Sequence, residues 1–290
     1  MSDNNDVTPV RAAHKFNEES LRAYMQDNVE GFEGPLTIKQ FEGGQSNPTF
    51  LLHTPAQEYV MRKKPPGVLL PSAHAVDREF KIMSALQSTD VPVAKTYALC
   101  EDPDVIGTPF YIMEKVEGRI FRQPELPGMA PAERAAIYDA MNDTMAKMHN
   151  VDINAVGLAD FGKQGNYFER QIGRWTKQYR ASETEVVPTM EKLIEWLPAN
   201  MPTNLENTIC HGDYRLENMI IHPTKPEVVA ILDWELCTLG HPLADLAYNC
   251  MPYQFMHPAS GGLVTTNFQE SGIPSEEAYL EAYCKRTGRD

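Results

Sequence analysis

His211-Gly-Asp213-Tyr-Arg-Leu-Glu-Asn218 and, fifteen residues on, Leu232-Asp233-Trp-Glu235 are the stretches that decide the reading. Two short apolar runs, 218–222 and 228–233, flank Pro223-Thr-Lys-Pro226. Prolines between apolar runs punctuate a turn, so a hairpin is predicted. Asp213 and Asn218 lie five residues apart on the loop entering it. The second strand ends on Asp233 and returns to the same end. One carboxylate, one amide and a second carboxylate then share a cavity. Asp233 follows five apolar residues, and a carboxylate buried there demands a cation or hydrogen-bond donors.

Upstream, the pattern is that of strands. Residues 36–41 alternate, Gly43-Gly44-Gln-Ser46-Asn47-Pro48 breaks the run, and 49–53 and 58–62 follow across a turn at 54–57. Two more strands fit 95–100 and 109–115. Between them, Ser72 is the expected N-cap of a helix reaching about Gln87, with Val76, Phe80, Met83 and Leu86 as its apolar stripe. An earlier helix is expected over 11–26, and residues 1–10 read as a frayed tail.

After Gly118 the character is helical. Pro131 suits the first turn of a helix reaching His149, with Ile137, Met141, Met145 and Met148 inward. Asn166 and Glu169 form a capping-box pattern, followed by a Phe168, Ile172, Trp175 and Tyr179 stripe. Helices are also expected over 191–197, 243–251 and 275–287, with 252–275 as a surface loop. The class is α+β in two lobes. Residues 1–117 form a small antiparallel sheet carrying one long helix, and 118–290 a larger, mostly helical lobe.

The Asp213–Asn218 spacing matches the protein-kinase catalytic loop H-R-D-x-x-x-x-N, with Asp233 in the place of the D-F-G acid. Together with Asp245-Leu-Ala247, these motifs closely resemble the aminoglycoside phosphotransferase-like (choline kinase-like) kinase family. Tyr59-Val-Met-Arg-Lys-Lys-Pro-Pro-Gly67 and Leu70-Pro-Ser-Ala-His-Ala-Val-Asp-Arg-Glu79 add a resemblance to the branch related to the kinase domain of acyl-CoA dehydrogenase fusion proteins. The resemblance runs over about residues 30–250.

It implies a protein-kinase-like fold and transfer of the γ-phosphoryl of ATP or GTP to a hydroxyl on a small molecule, with Mg²⁺ as cofactor. Asp213 would accept the hydroxyl proton and His211 would orient its loop. Asn218 and Asp233 would hold Mg²⁺, which takes oxygen ligands. Gly43, Gly44, Ser46 and Asn47 would form the loop over the phosphates, where glycine lets backbone N–H groups approach. Met113 to Val116 would be the adenine hinge, acting through the backbones of Glu114 and Val116.

One position departs from the kinase pattern. Where V-A-I-K places a Lys facing ATP, this chain has Arg62, which keeps the charge but changes its geometry. Alternation puts Val60, Arg62 and Lys64 on one face, with Lys64 as the reserve candidate. Glu79 is the expected ion-pair partner. The resemblance further implies a hydroxyacyl-CoA acceptor, and a chain cut short after Asp290. No activation segment ending in A-P-E follows Asp233, which argues against protein substrates.

The net charge is 26 − 40 = −14, with a pI near 5.0. Nucleic-acid binding needs clustered bases and is not expected. No apolar run approaches the roughly 18 residues of a membrane span, and residues 1–10 do not read as a presequence. Five scattered cysteines, never in a CxxC pair, read as reduced thiols of a cytoplasmic protein. Between Lys163 and Arg180, five bases face one acid. Arg170, Arg174 and Lys177 share a helix face, which reads either as solvated or as a dock for an anionic acceptor. Glu235 belongs either to the acceptor pocket or to packing. The rival classes are a catalytically quiet nucleotide-binding regulator, an aminoglycoside-type antibiotic kinase and a metal-dependent hydrolase.

Overall fold

The computed structural model describes residues 7–42, 47–65, 74–163, 165–257, 259 and 261–289. Residues of the expected tail already form structure, since Val7–Thr8 (β1) pairs with Gln40 and Phe41 at a sheet edge. The first helix, Glu18–Asn28 (α1), starts later than expected because Asn17 caps it. The Asn17 side chain accepts the N–H groups of Glu19 and Ser20, and residues 12–14 form a separate 3₁₀ turn.

Strands Thr37–Phe41 (β2), Thr49–His53 (β3) and Glu58–Lys63 (β4) follow, then helix Val76–Leu86 (α2). The expected cap Ser72 lies outside the described residues, as do Gly43, Gly44 and Ser46. Strand Thr96–Cys100 (β5), the short helix Pro103–Ile106 (α3) and strand Phe110–Glu114 (β6) close the small lobe. The antiparallel sheet runs β1-β2-β3-β4-β6-β5.

Strand alternation gives this sheet two covered faces. Phe50, Leu52, Tyr59, Met61, Phe110 and Ile112 pack on Leu21 and Met25 of α1 as a core of their own. On the opposite face, Tyr111 joins Ile82, Met83 and Leu86 of α2, and these continue into the core of the large lobe. The sheet therefore carries a helix on each side, and packing runs across residue 118 without a gap. At the crossing, a Cβ on Gly118 would collide with Ile220 Cγ2 and the Ile221 carbonyl oxygen.

The large lobe is built on Pro131–His149 (α4), whose bounds are those expected from Pro131 and the methionine spacing. Helices Tyr167–Ser182 (α5) and Pro188–Ala199 (α6) follow, with Asn166 capping α5 through the Glu169 N–H. The apolar stripe on α5 is not covered: no α5 residue is buried, and Trp175 is 58% exposed. Period alone says which residues share a face, not what covers it.

Strand Thr208–Cys210 (β7) leads into the stretch 211–218. The predicted hairpin forms from Met219–Ile221 (β8) and Val228–Ile231 (β9), and Thr238–Gly240 (β10) returns to pair with β7. Leu243–Asn249 (α7), Met251–Gln254 (α8), Phe268–Ser271 (α9) and Glu276–Thr287 (α10) complete the chain. The segment expected as a surface loop instead buries Leu263 and Ile273 and contains α8 and α9. Among the described residues, no helix is long and apolar enough to cross a membrane.

Candidate active site

The two deciding stretches meet through His211. Its buried ring accepts the Asp213 N–H at Nδ1 (3.2 Å), which leaves Nε2–H to donate to the Leu232 carbonyl at 2.8 Å. Burial pushes this imidazole below its ordinary pKa, against the pull of Asp245, Asp213 and Asp233. The Leu232 N–H in turn donates to the Asn218 carbonyl at 2.8 Å. Asp233 therefore leaves its strand beside the Asp213–Asn218 loop. It does so with φ +63°, a left-handed conformation uncommon for a non-glycine residue.

Asp213 is held on both carboxylate oxygens. Oδ2 accepts Asn218 Nδ2 at 2.7 Å, while Oδ1 accepts the Tyr248 hydroxyl at 2.6 Å and pairs with Arg215 Nε at 3.3 Å. Because the Asn218 nitrogen faces Asp213, the amide oxygen is the atom it can offer to a cation. Asp245 braces the same loop from beneath, accepting the N–H groups of His211 (2.6 Å) and Gly212 (2.8 Å). Burial works against the Asp245 charge, yet His149, His211 and the Gly212 N–H hold its carboxyl below the usual range.

Arg62 projects into the cleft between the lobes and is 11% exposed. Its Nη2 donates to Asp233 Oδ1 at 2.7 Å and to Glu235 Oε2 at 3.2 Å, and its Nε lies 3.3 Å from Glu79 Oε2. The expected Arg62–Glu79 pair is thus present. Glu79 is also fixed by Asn47 Nδ2 (2.8 Å) and the Tyr111 hydroxyl (2.9 Å). Burial pushes its carboxyl up to about 7, although Arg62 and Tyr111 favour the charged form. Lys64 pairs with Asp77 at 3.7 Å instead, so Arg62 is the cation that reaches the acids.

Asn47 is buried, with its amide turned to Glu79 and to His74. Val60 is buried on strand β4, where it pairs with Met113. At the hinge, the Glu114 N–H is taken by the Lys95 carbonyl at 2.7 Å, so this N–H does not point to a nucleotide. Trp234 packs against the His211 ring at 4.8 Å between centroids.

Tyr248 and Arg215, the partners of Asp213 Oδ1, line a cavity of about 400 Å³ between α4, α7 and the chain from 251 to 263, and Asp213 itself is not in its lining. Tyr138, Met141, Leu216, Tyr253, Phe255 and Leu263 supply apolar walls, while Arg122, Arg215, Glu217 and His257 are the charged or titratable groups at its lining. Arg170, Arg174, Lys177 and Glu235 do not line it. The three α5 bases sit on a different helix, and Glu235 sits with Arg62.

Both acids and the amide are oxygen donors suited to a hard cation. Among the described residues, no three His, Cys, Asp or Glu side chains group as a metal cage. Mg²⁺ needs no such cage, since it is held by one or two carboxylates together with phosphate oxygens. Arg62 already places a cation on Asp233, which shows that this carboxylate faces positive charge.

Residues 37–283 match the phosphotransferase enzyme family. The chain belongs to that family. It is 47% identical over 286 residues to acyl-CoA dehydrogenase family member 10 of Mus musculus, with 98% of this chain and 27% of that protein covered. A crystal structure of a nominal aminoglycoside phosphotransferase from Ralstonia eutropha superposes with a TM-score of 0.87 at 54% identity, covering 95% of this chain and 82% of the other. The ternary complex of an aminoglycoside 2″-phosphotransferase with streptomycin and ATP shares the fold at TM-score 0.60 and 15% identity, over 94% of this chain and 83% of that one. The chain thus spans about a quarter of the mouse protein's length. Its two-lobed α+β architecture is the phosphotransferase fold, an antiparallel sheet lobe joined to a helical one.

Two contributors to the site were not found by sequence reasoning. Tyr111 and Tyr248 reach Glu79 and Asp213 from 32 and 35 residues away. For Tyr248 a signal existed, because Asp245-x-x-Tyr248 places two polar side chains on one helix face.

Proposed function

We propose that this phosphotransferase is a small-molecule kinase that moves the γ-phosphoryl of ATP (or GTP) to a hydroxyl of a hydroxyacyl-CoA. The observation that carries the reading is that Tyr248 and Arg215, which hold the Asp213 carboxylate, also line an apolar-walled cavity of about 400 Å³. The aliphatic part of an acyl chain suits those walls, and Arg122 and Arg215 suit an anionic acceptor. A polycationic aminoglycoside would find two arginines and one glutamate in the same lining. The similarity to a protein named acyl-CoA dehydrogenase family member 10 points the same way.

In this reading the acceptor O–H bond breaks and its proton passes to Asp213. The freed oxygen bonds to the γ-phosphorus, and the bridging P–O bond breaks with its electron pair leaving on the nucleoside diphosphate. Asn218 and Asp233 would hold Mg²⁺, which when bound neutralises charge across the phosphates. Arg62 aligns the polyphosphate, and Val60 and Met113 pack against the adenine beside the backbones of Glu114 and Val116. Gly43, Gly44, Ser46 and Asn47 would be the residues facing the phosphates, and Lys64, just past β4, is the reserve cation. Residues 1–117 act as the nucleotide lobe and 118–290 as the catalytic and acceptor lobe.

The test is an ATP-consumption assay across a panel of hydroxyacyl-CoAs, aminoglycosides and simple alcohols, with wild type and Asp213→Ala. The reading requires consumption that depends on a hydroxyacyl-CoA and is lost in the variant. Equal turnover by both proteins, or dependence on an aminoglycoside, removes it. A second reading, a nucleotide-binding module without turnover, is favoured by the grip of Arg62 on Asp233. Thermal stabilisation by Mg²⁺·ATP with no transfer to any acceptor would identify it.

A further inference from the structure

Helix α7 reads the catalytic loop residue by residue. Asp245 accepts the backbone N–H groups of His211 and Gly212. One turn further on, the Tyr248 hydroxyl donates to the Asp213 carboxylate at 2.6 Å. The next residue, Asn249, donates from Nδ2 to the Tyr214 carbonyl at 3.1 Å. Four consecutive loop residues are thus held by three side chains of one helix. Three of these contacts fix backbone on either side of Asp213, and only the one from Tyr248 reaches its side chain.

We propose that Tyr248 is a positioning residue for phosphoryl transfer, setting the rotation of the Asp213 carboxylate toward the cavity that Tyr248 itself lines. This rests on the kinase reading given above. The carboxylate has three protein partners and each does something different. Asn218 grips Oδ2 from the hairpin side, and Arg215, 48% exposed and also in the cavity lining, pairs with Oδ1 at the longer distance of 3.3 Å. Tyr248 approaches Oδ1 from the cavity wall, which its ring also forms.

Without the phenol, only the longer pairing with half-exposed Arg215 holds Oδ1 against rotation about the Cβ–Cγ bond of Asp213. The base then samples orientations that do not face the acceptor hydroxyl, and small misplacements of a reacting group are costly. Burial keeps the phenol protonated, its pKa pushed up to about 12. Tyr248 therefore donates at neutral pH and does not compete for the acceptor's proton.

The experiment compares wild type, Tyr248→Phe and Asp213→Asn in Mg²⁺·ATP consumption, with water alone and with the hydroxyacyl-CoA panel. Phe keeps the ring in the cavity wall and removes only the hydroxyl. The expected result for Tyr248→Phe is a kcat lower by about 10- to 100-fold, the scale of one hydrogen bond to a charged group. KM for ATP stays within about twofold and the melting temperature is unchanged. A merely structural tyrosine would lower the melting temperature and leave kcat per folded molecule alone, and that outcome overturns the proposal. So does a Tyr248→Phe variant with wild-type kcat beside an inactive Asp213→Asn. If Asp213→Asn itself keeps wild-type turnover, or wild type turns over on no acceptor, the kinase reading fails and takes this one with it.

Discussion

His211 Nε2 lies 2.8 Å from the carbonyl oxygen of Leu232, so one buried imidazole joins the loop that carries Asp213 to the strand end that carries Asp233. The two acids of the site come from segments twenty residues apart. Their relative placement depends on this bond and on the Leu232 N–H bond to Asn218. The imidazole is buried in its neutral form, and burial lowers its pKa from 6.5.

A pH dependence follows. The unfolded chain takes up a proton at this histidine near pH 6.5, while the folded protein resists it. The native state then binds fewer protons than the unfolded one, so stability rises with pH in this window. The contribution is intact above about pH 6.5 and is lost as pH falls. The melting temperature of wild type is expected to drop between pH 7 and pH 5 by more than that of His211→Gln.

Arg62 spans Glu79, Asp233 and Glu235 with one planar fork. Truncating it to alanine strands a nearly fully buried Glu79, and breaking one side of a buried pair costs about 3 kcal/mol. Urea denaturation should show that loss for Arg62→Ala. Arg62→Lys keeps the charge without the fork, so it should recover part of the stability and still raise KM for ATP.

Asp245 carries two backbone N–H bonds and faces His149 Nε2 at 3.3 Å inside the protein. His149 in turn contacts the Tyr283 hydroxyl at 2.6 Å, which extends the brace to α10. Asp245→Asn replaces an acceptor oxygen with a donor where donors already point. Loss of about 100-fold in kcat is expected from the displaced loop, together with lower thermal stability by calorimetry.

Gly118 lies against β8, where an added methyl meets Ile220 and the Ile221 carbonyl. Gly118→Ala should cost about 1–3 kcal/mol, the range for overpacking. Chemical denaturation would measure it, and a variant as stable as wild type would show that the lobe crossing can move.

Some of this was legible in the chain alone. The 131–149 helix carries its own start signal in Pro131 and a clean methionine stripe, and the hairpin around 223–226 is bracketed by prolines. Strands β3 and β4 are short apolar runs on either side of a clear turn. Asp213, Asn218 and Asp233 could be grouped because their separation is short and the hairpin brings the ends together. Tyr111 and Tyr248 could not, since their partners come from elements whose packing is decided by the whole core. The same limit explains Trp175, whose stripe is real but faces outward, and Leu263, a buried leucine inside a segment rich in glycine and proline. Asn17 shows a local miss: its cap makes the helix begin at Glu18, seven residues past the expected start.

The most direct test is a crystal structure with a non-hydrolysable ATP analogue and Mg²⁺. The account predicts that one ion is bound by the Asn218 amide oxygen and the Asp233 carboxylate. Arg62 moves from Asp233 to the polyphosphate, and the γ-phosphate faces Asp213 across the mouth of the cavity. A nucleotide seated elsewhere, or an ion that touches neither Asn218 nor Asp233, would contradict it.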